Sequence, residues 1–188
     1  MGMNNNEDII MGIDQSYNFC AWVILRDGCM IDFGIVKSDT DDTMYERALN
    51  VAIDLYNVYE KYVPNRIQIE GLAFGTSGNV TRDLAGLLFT IINVMKIKIP
   101  GVDIVVVPPT AVKKFATGSG KSKKPEIIAA LPKEIIESFQ QKGFKKTTGL
   151  ADLADAFWIG RYSGTVAEHR QIVEYITNHF EEGNRAIK

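Results

Sequence analysis

Four acids stand where this 188-residue chain could use them for chemistry: Asp14, Glu70, Asp152 and Asp155. Asp14 closes the apolar run Ile9-Ile10-Met11-Gly12-Ile13, and Glu70 closes Ile67-Gln68-Ile69. Asp152 and Asp155 lie three residues apart in a helical stretch, a separation that puts both carboxylates on one helix face. Ile159 shares that face, and Ala154, Phe157 and Trp158 add apolar surface around the rest of the turn. Like charges in apolar surroundings repel and resist ionisation, and a cation relieves both costs. Carboxylate oxygens are the ligands Mg²⁺ and Mn²⁺ prefer, and four acids can hold two ions about 3.5–4 Å apart for in-line phosphodiester hydrolysis. No histidine or cysteine adjoins these acids in sequence, so a zinc or acyl-transfer mechanism finds no support. Taken singly, each acid also has an ordinary reading. An Asp after a strand is usually a turn former, Glu70 before Gly71 suits a solvated strand end, and Asp152 and Asp155 suit first-turn charges or a cap.

The elements that must position these residues show as apolar runs and their punctuation. Residues 9–13 read as a buried strand ending on Asp14, with further strands over 19–25 and 30–36. Asp27-Gly28 between the last two supplies the positive φ of a tight hairpin. Asp39, Thr40, Asp41 and Asp42 offer capping side chains to a helix on which Met44, Ala48, Val51, Leu55, Val58 and Tyr62 recur, with Pro64 as its stop. A fourth strand over 66–69 ends on Glu70, and a glycine-bearing loop over 71–78 leads to a helix over 81–95. Residues 103–107, nearly all β-branched, predict a strand buried on both faces. A short helix over 111–116, a basic glycine-containing loop over 117–124 and two short helical stretches follow. A helix over 150–162 carries the acidic pair, and 166–180 predicts a C-terminal helix. The pattern is that of one α/β domain, a five-stranded mixed sheet with helices on both faces. It divides into a polar leader (1–8), the domain (9–164), and a C-terminal helix with a polar tail (165–188).

Composition narrows the class. A hydrophobic share of 46% with scattered charge suits a globular protein, and no apolar run nears the roughly 18 residues of a membrane span. Two cysteines, Cys20 and Cys29, and no secretory signal predict reduced thiols in a cytosolic setting. Total charge is −2, yet residues 109–146 hold nine lysines against three acids, a local +6 that leaves −8 for the remainder. Such polarity can offer phosphate a basic face, though a solvated lysine-rich helix pair explains it equally well.

Several segments together resemble the RuvC-type Holliday-junction resolvases of the RNase H-like superfamily. Ile10-Met11-Gly12-Ile13-Asp14-Gln15-Ser16 resembles the family's first strand with its catalytic Asp. Ile67-Gln68-Ile69-Glu70-Gly71-Leu72-Ala73-Phe74 is similar to the segment holding its catalytic Glu and a nearby aromatic. Val107-Pro108-Pro109-Thr110-Ala111-Val112-Lys113 with Gly118-Ser119-Gly120-Lys121-Ser122-Lys123-Lys124 resembles its basic DNA-contacting stretch. Asp152-Leu153-Ala154-Asp155-Ala156 looks like its closing acidic pair. Gln15-Ser16 stands where many bacterial members have Pro-Gly, and Gly71 where a larger side chain is common, which looks more like the viral or phage branch.

The resemblance implies a Mg²⁺-dependent endonuclease, Mn²⁺ substituting, with two ions per site held by Asp14, Glu70, Asp152 and Asp155. It implies DNA contacts by Phe74, Lys113, Lys114, Lys121, Lys123 and Lys124, with Phe74 stacking on a base opened at the branch point. It further implies branched DNA as substrate, both four-way junctions and forks. A C₂ homodimer would supply one site per cut strand, with residues 81–95 as the expected interface. The cell compartment would be the cytoplasm of a bacterium or of a virus-infected host. Other readings are an RNase H-like nuclease acting on RNA–DNA hybrid or precursor RNA, and an inactive DNA-binding module.

Overall fold

The sheet carries apolar side chains on both faces, so it must be covered on both sides. The computed structural model describes residues 7–72, 79–145 and 148–164. Strand β1 (Ile9–Asp14) is the middle of a five-stranded sheet ordered β3-β2-β1-β4-β5. Its antiparallel half is β2 (Cys20–Arg26) beside β1, and β3 (Cys29–Val36) beside β2. Its parallel half is β4 (Arg66–Glu70) beside β1, and β5 (Asp103–Val107) beside β4. The β2–β3 hairpin turns on Asp27 (φ 48°) and Gly28 (φ 77°), two left-handed residues in succession as the predicted Asp-Gly turn requires.

One face carries Met11, Ile13, Cys20, Ile24, Ile67 and Ile69. These pack under Val51 and Leu55 of α1 (Met44–Tyr62) and Leu87, Leu88, Ile91 and Met95 of α2 (Asn79–Lys98). The other face carries Ala21, Val23, Leu25 and Phe33, which meet Leu153, Ala156 and Phe157 of α6 (Leu150–Arg161). Ile127 of α4 (Lys124–Ala129) and Phe139 of α5 (Lys133–Gln141) complete that layer. Helix α3 (Pro109–Thr117) joins at the β5 edge, where Val105, Val107, Val112 and Ile159 form a smaller cluster. The predicted five-stranded mixed sheet with helices on both faces is thus observed.

Two expectations need correcting. The cap of α1 is Thr43, not the acids before it: Glu46 N donates to Thr43 Oγ1 at 3.4 Å, and Thr43 N donates to Glu46 Oε2 at 2.9 Å. Strand β5 lies at the sheet edge, so Val105 and Val107 are buried while Ile104 and Val106 are half-buried and Asp103 is exposed. On α2, Leu87, Leu88, Ile91 and Met95 belong to the core. The leader 1–6, Phe74 and the C-terminal helix over 166–180 lie outside the described residues. Among the described residues no helix is long and apolar enough to cross a membrane.

Candidate active site

The β1–β4 ladder is parallel and pairs Ile13 with Ile69, so Asp14 and Glu70 stand one step further at the same end of adjacent strands. Alternation then puts Gly12, Asp14, Gln68 and Glu70 on the face covered by α6, opposite Met11, Ile13, Ile67 and Ile69. Helix α6 reaches these carboxylates because Gly12 lets it. A Cβ on Gly12 would stand 2.4 Å from the Ala156 carbonyl oxygen and 2.6 Å from the Gly160 nitrogen, inside contact distance of helix backbone. At the far end of α6, Gln68 Nε2 donates to the Tyr162 carbonyl at 3.1 Å and ties the helix to β4. Asp155, the residue before Ala156, is thereby set over the strand ends.

The site holds more negative charge than its surroundings will bear. Asp14 is buried, and burial raises its carboxyl well above the usual range, with Glu70, Asp155 and Asp152 adding to the rise and Lys124 opposing it. Burial, then the charge of Asp155, pushes Glu70 up to about 7, against a hydrogen bond with Asp14 and the charges of Lys113 and Lys124. Asp155 is pushed up to about 6, again chiefly by burial, with Lys124 and Lys113 opposing and Asp152 reinforcing. Asp152 is paired instead, its Oδ1 lying 2.9 Å from Lys124 Nζ. Burial would lower the Lys124 ammonium, but the hydrogen bond and charge of Asp152, with Asp155 and Asp14 behind it, raise it. Neutral pH therefore leaves the three buried acids sharing protons or calling for a cation.

Does a divalent cation fit? Among the described residues, no group of three or more His, Cys, Asp or Glu side chains is drawn together so as to hold a metal ion as it stands. Two observations outweigh this. Mutually repelling carboxylates do not close up unaided, and Asp152 is turned to an ammonium that a stronger cation can displace. The donor set is all carboxylate oxygen, the chemistry of a hard divalent ion, and its charges are already felt across the cluster. Cys20, adjacent to Ala21, which pairs with Asp14, is close in space although not expected from sequence distance. Burial, opposed by a hydrogen bond to the Ser16 backbone and aided by Asp14, pushes its thiol up to about 12, and its side chain packs with Met11 and Ile13 on the opposite face of the sheet.

The four predicted acids lie near enough for Asp14 to feel the charges of the other three, and two of the predicted lysines act on the same cluster. Lys113 on α3 and Lys124 at the start of α4 both act on the charges of Glu70 and Asp155. Lys114, Lys121 and Lys123 are exposed on the same α3–α4 segment. Thr117 Oγ1 braces that segment by donating to the Lys113 carbonyl at 2.8 Å and meeting the buried Ser122 Oγ at 2.7 Å. The rest of the basic run goes elsewhere: Lys133 pairs with Glu137 along α5, and Lys142 pairs at 2.8 Å with Asp32 on β3. Two positioning residues escaped the sequence reading: Gly12 and Gln68. The alternation Ile67-Gln68-Ile69-Glu70 already puts Gln68 on the side of Glu70, but no local signal marks the helix that Gly12 admits.

The family model of crossover junction endodeoxyribonuclease RuvC matches residues 10–159. A RuvC from Synechococcus sp. (strain CC9605) is 26% identical over 130 residues, 67% of this chain and 82% of that protein. One from Rhodopirellula baltica is 29% identical over 154 residues, 80% of this chain and 82% of that protein. Among solved structures, Thermus thermophilus RuvC in complex with Holliday junction substrate matches with TM-score 0.62 at 18% identity, over 81% of this chain and 90% of that one. Fowlpox virus resolvase with Holliday junction DNA matches with TM-score 0.51 at 21% identity, over 81% and 94%. These structural likenesses establish the RNase H-like fold.

Proposed function

This chain belongs to the RuvC family of crossover junction endodeoxyribonucleases, and from that premise we propose that Asp14, Glu70, Asp152 and Asp155 are its catalytic, metal-holding residues. The activity is that of a structure-selective DNA endonuclease resolving Holliday junctions and other branched DNA. Nucleases of this family depend on divalent metal. Here the reading is Mg²⁺, replaceable by Mn²⁺, with two ions per site. The bound metal would activate a water and neutralise charge at the scissile phosphodiester, leaving 5′-phosphate and 3′-hydroxyl ends.

The chain's own residues supply everything else. Asp14, set between Glu70 and the α6 acids, is the shared carboxylate, and Glu70 and Asp155 flank it. Asp152, now paired with Lys124, would be a fourth carboxylate to hold the metal, and the Lys124 ammonium would then serve the phosphate beside the cut. Lys113 supports it from α3. Lys114, Lys121 and Lys123 attract the DNA backbone, and Phe74 stacks on a base opened at the branch point. Two opposed strands need two sites, hence a C₂ homodimer.

The observation that carries this reading is the burial of Asp14 among three further carboxylates with two lysines facing them. The test is cleavage of a synthetic four-way junction in Mg²⁺ or Mn²⁺, beside nicked, forked and RNA–DNA hybrid substrates. Four-way junctions should be cut best. Asp14→Asn should abolish cleavage, roughly a 10³-fold loss or more, while junction binding stays nearly intact. Undiminished cutting by that variant, or preferential cutting of the hybrid, overturns the assignment.

A further inference from the structure

The β1–β4 ladder stops at the Ile13–Ile69 pair, one step short of the two carboxylates that must be held in register. What holds the strand ends beyond it is a side chain. Gln15, only 7% exposed, donates from Nε2 to the Glu70 backbone carbonyl at 3.1 Å. The same peptide unit is gripped from its other side, where Gly71 N donates to the Val107 carbonyl at 2.8 Å. A trans peptide points its C=O and N–H in opposite directions, so the Glu70–Gly71 peptide is pinned between β1 and β5. Gln15 thus does with a side chain what a further rung of backbone would have done, immediately after Asp14.

The amide's orientation follows from chemistry. Turned over, it would set Oε1 against another acceptor, so Nε2 is the end that faces Glu70. Oε1 is then buried, and it has no hydrogen-bond partner among the described residues. A buried acceptor with no protein donor is a place for water, and the end of the strands carrying Asp14 and Glu70 is where a hydrolytic site needs ordered water.

We propose that Gln15 is a positioning residue for this site, clamping the Glu70 end of β4 to the Asp14 end of β1 through its side-chain amide. This rests on the carboxylate cluster being the active site. Glu70 itself makes the contact with metal and substrate; Gln15 acts through its backbone.

The test compares wild type, Gln15→Met and Gln15→Glu by three measurements: thermal melting, calorimetric titration with Mn²⁺ alone, and single-turnover cleavage of a four-way junction. Met keeps length and removes both polar ends. Glu keeps an acceptor but turns oxygen towards the Glu70 carbonyl. The clamp predicts that Gln15→Met melts within about 3 °C of wild type while cleavage rate or Mn²⁺ affinity falls about tenfold or more, with KM for the junction unchanged. Gln15→Glu should cut no faster than Gln15→Met. The proposal is overturned if Gln15→Met keeps both quantities within about twofold, or if its losses come with a drop in melting temperature above about 10 °C, the mark of a merely structural residue. It is also overturned if Gln15→Glu cuts like wild type. Should wild type itself cut no junction, the functional reading fails instead, and the Mn²⁺ titration still judges the clamp.

Discussion

The two faces of this sheet are made from alternate residues of the same strands, yet they are built to opposite rules. Beneath α1 and α2, every strand position from Met11 and Ile13 to Ile67 and Ile69 is a large apolar side chain, fully buried. Beneath α6, the corresponding positions are Gly12, Asp14, Gln68 and Glu70. The first face is filled by side chains; on the second, β2 and β3 still supply apolar Ala21, Val23, Leu25 and Phe33, but on β1 and β4 the side chain is removed at Gly12 so that a helix backbone can come down, and Asp14, Gln68 and Glu70 are polar. Packing of the first kind tolerates a change of shape at a cost in stability alone. Placement on the second face ties stability to chemistry, because α6 contributes half of the carboxylates.

Gly12→Ala should break the second face most severely. Its new Cβ has only helix backbone to displace, so α6 must lift, at about 1–3 kcal/mol of stability. A shift of about 1 Å in Asp155 is enough for roughly a 100-fold loss of cleavage. Denaturant melts and single-turnover rates read both, and a Gly12→Ala protein cutting like wild type would mean that α6 does not set the site.

Ile67→Ala, on the first face, should cost about 2–5 kcal/mol while the folded fraction cuts at the wild-type rate. A rate loss beyond the unfolded fraction would show that the two faces are not separable. Lys124→Gln should do the reverse. Its ion pair with Asp152 is largely exposed and worth well under about 1 kcal/mol, so melting barely moves. Cleavage should fall about tenfold, and the salt dependence of junction binding should become shallower by about one charge.

The smallest effect is also the most specific to the polar face. Glu70 and Asp155 hold protons more tightly folded than unfolded, at about 7 and about 6 against the ordinary 4.5 and 3.8. The stability this contributes is complete below the unfolded pKa values and is lost as pH rises through the folded ones. Without divalent metal, melting temperature should therefore fall between pH 5 and pH 8 on this account. Mg²⁺ should restore more at pH 8 than at pH 5, since it binds the ionised carboxylates. A metal increment that is equal at both pH values would mean that these acids do not bind it.

Much of the fold is legible in the sequence because strand and helix periods differ. The apolar runs, the Asp27-Gly28 turn and the stop at Pro64 delimit most elements to within a residue or two. Long-range placement is not so legible. Nothing near Val105 says that β5 is an edge strand, since β-branched residues suit either position. The charged run over 109–146 reads as one basic surface, yet folding sends Lys142 to Asp32 and Lys133 to Glu137, leaving Lys113 and Lys124 at the carboxylates.

By itself, then, the sequence determined which acids end strands, which two share a helix face, and that alternate strand positions differ in polarity, because each of these follows from local backbone period. Only the tertiary structure decided that the four acids come within range of one another's charge. That needed β1 and β4 to pair in parallel at one end of the sheet. It needed Gly12 to admit α6 at backbone distance, and burial to turn three ordinary carboxylates into groups that compete for protons. Those are contacts between residues as much as about 140 positions apart, and no local period encodes them.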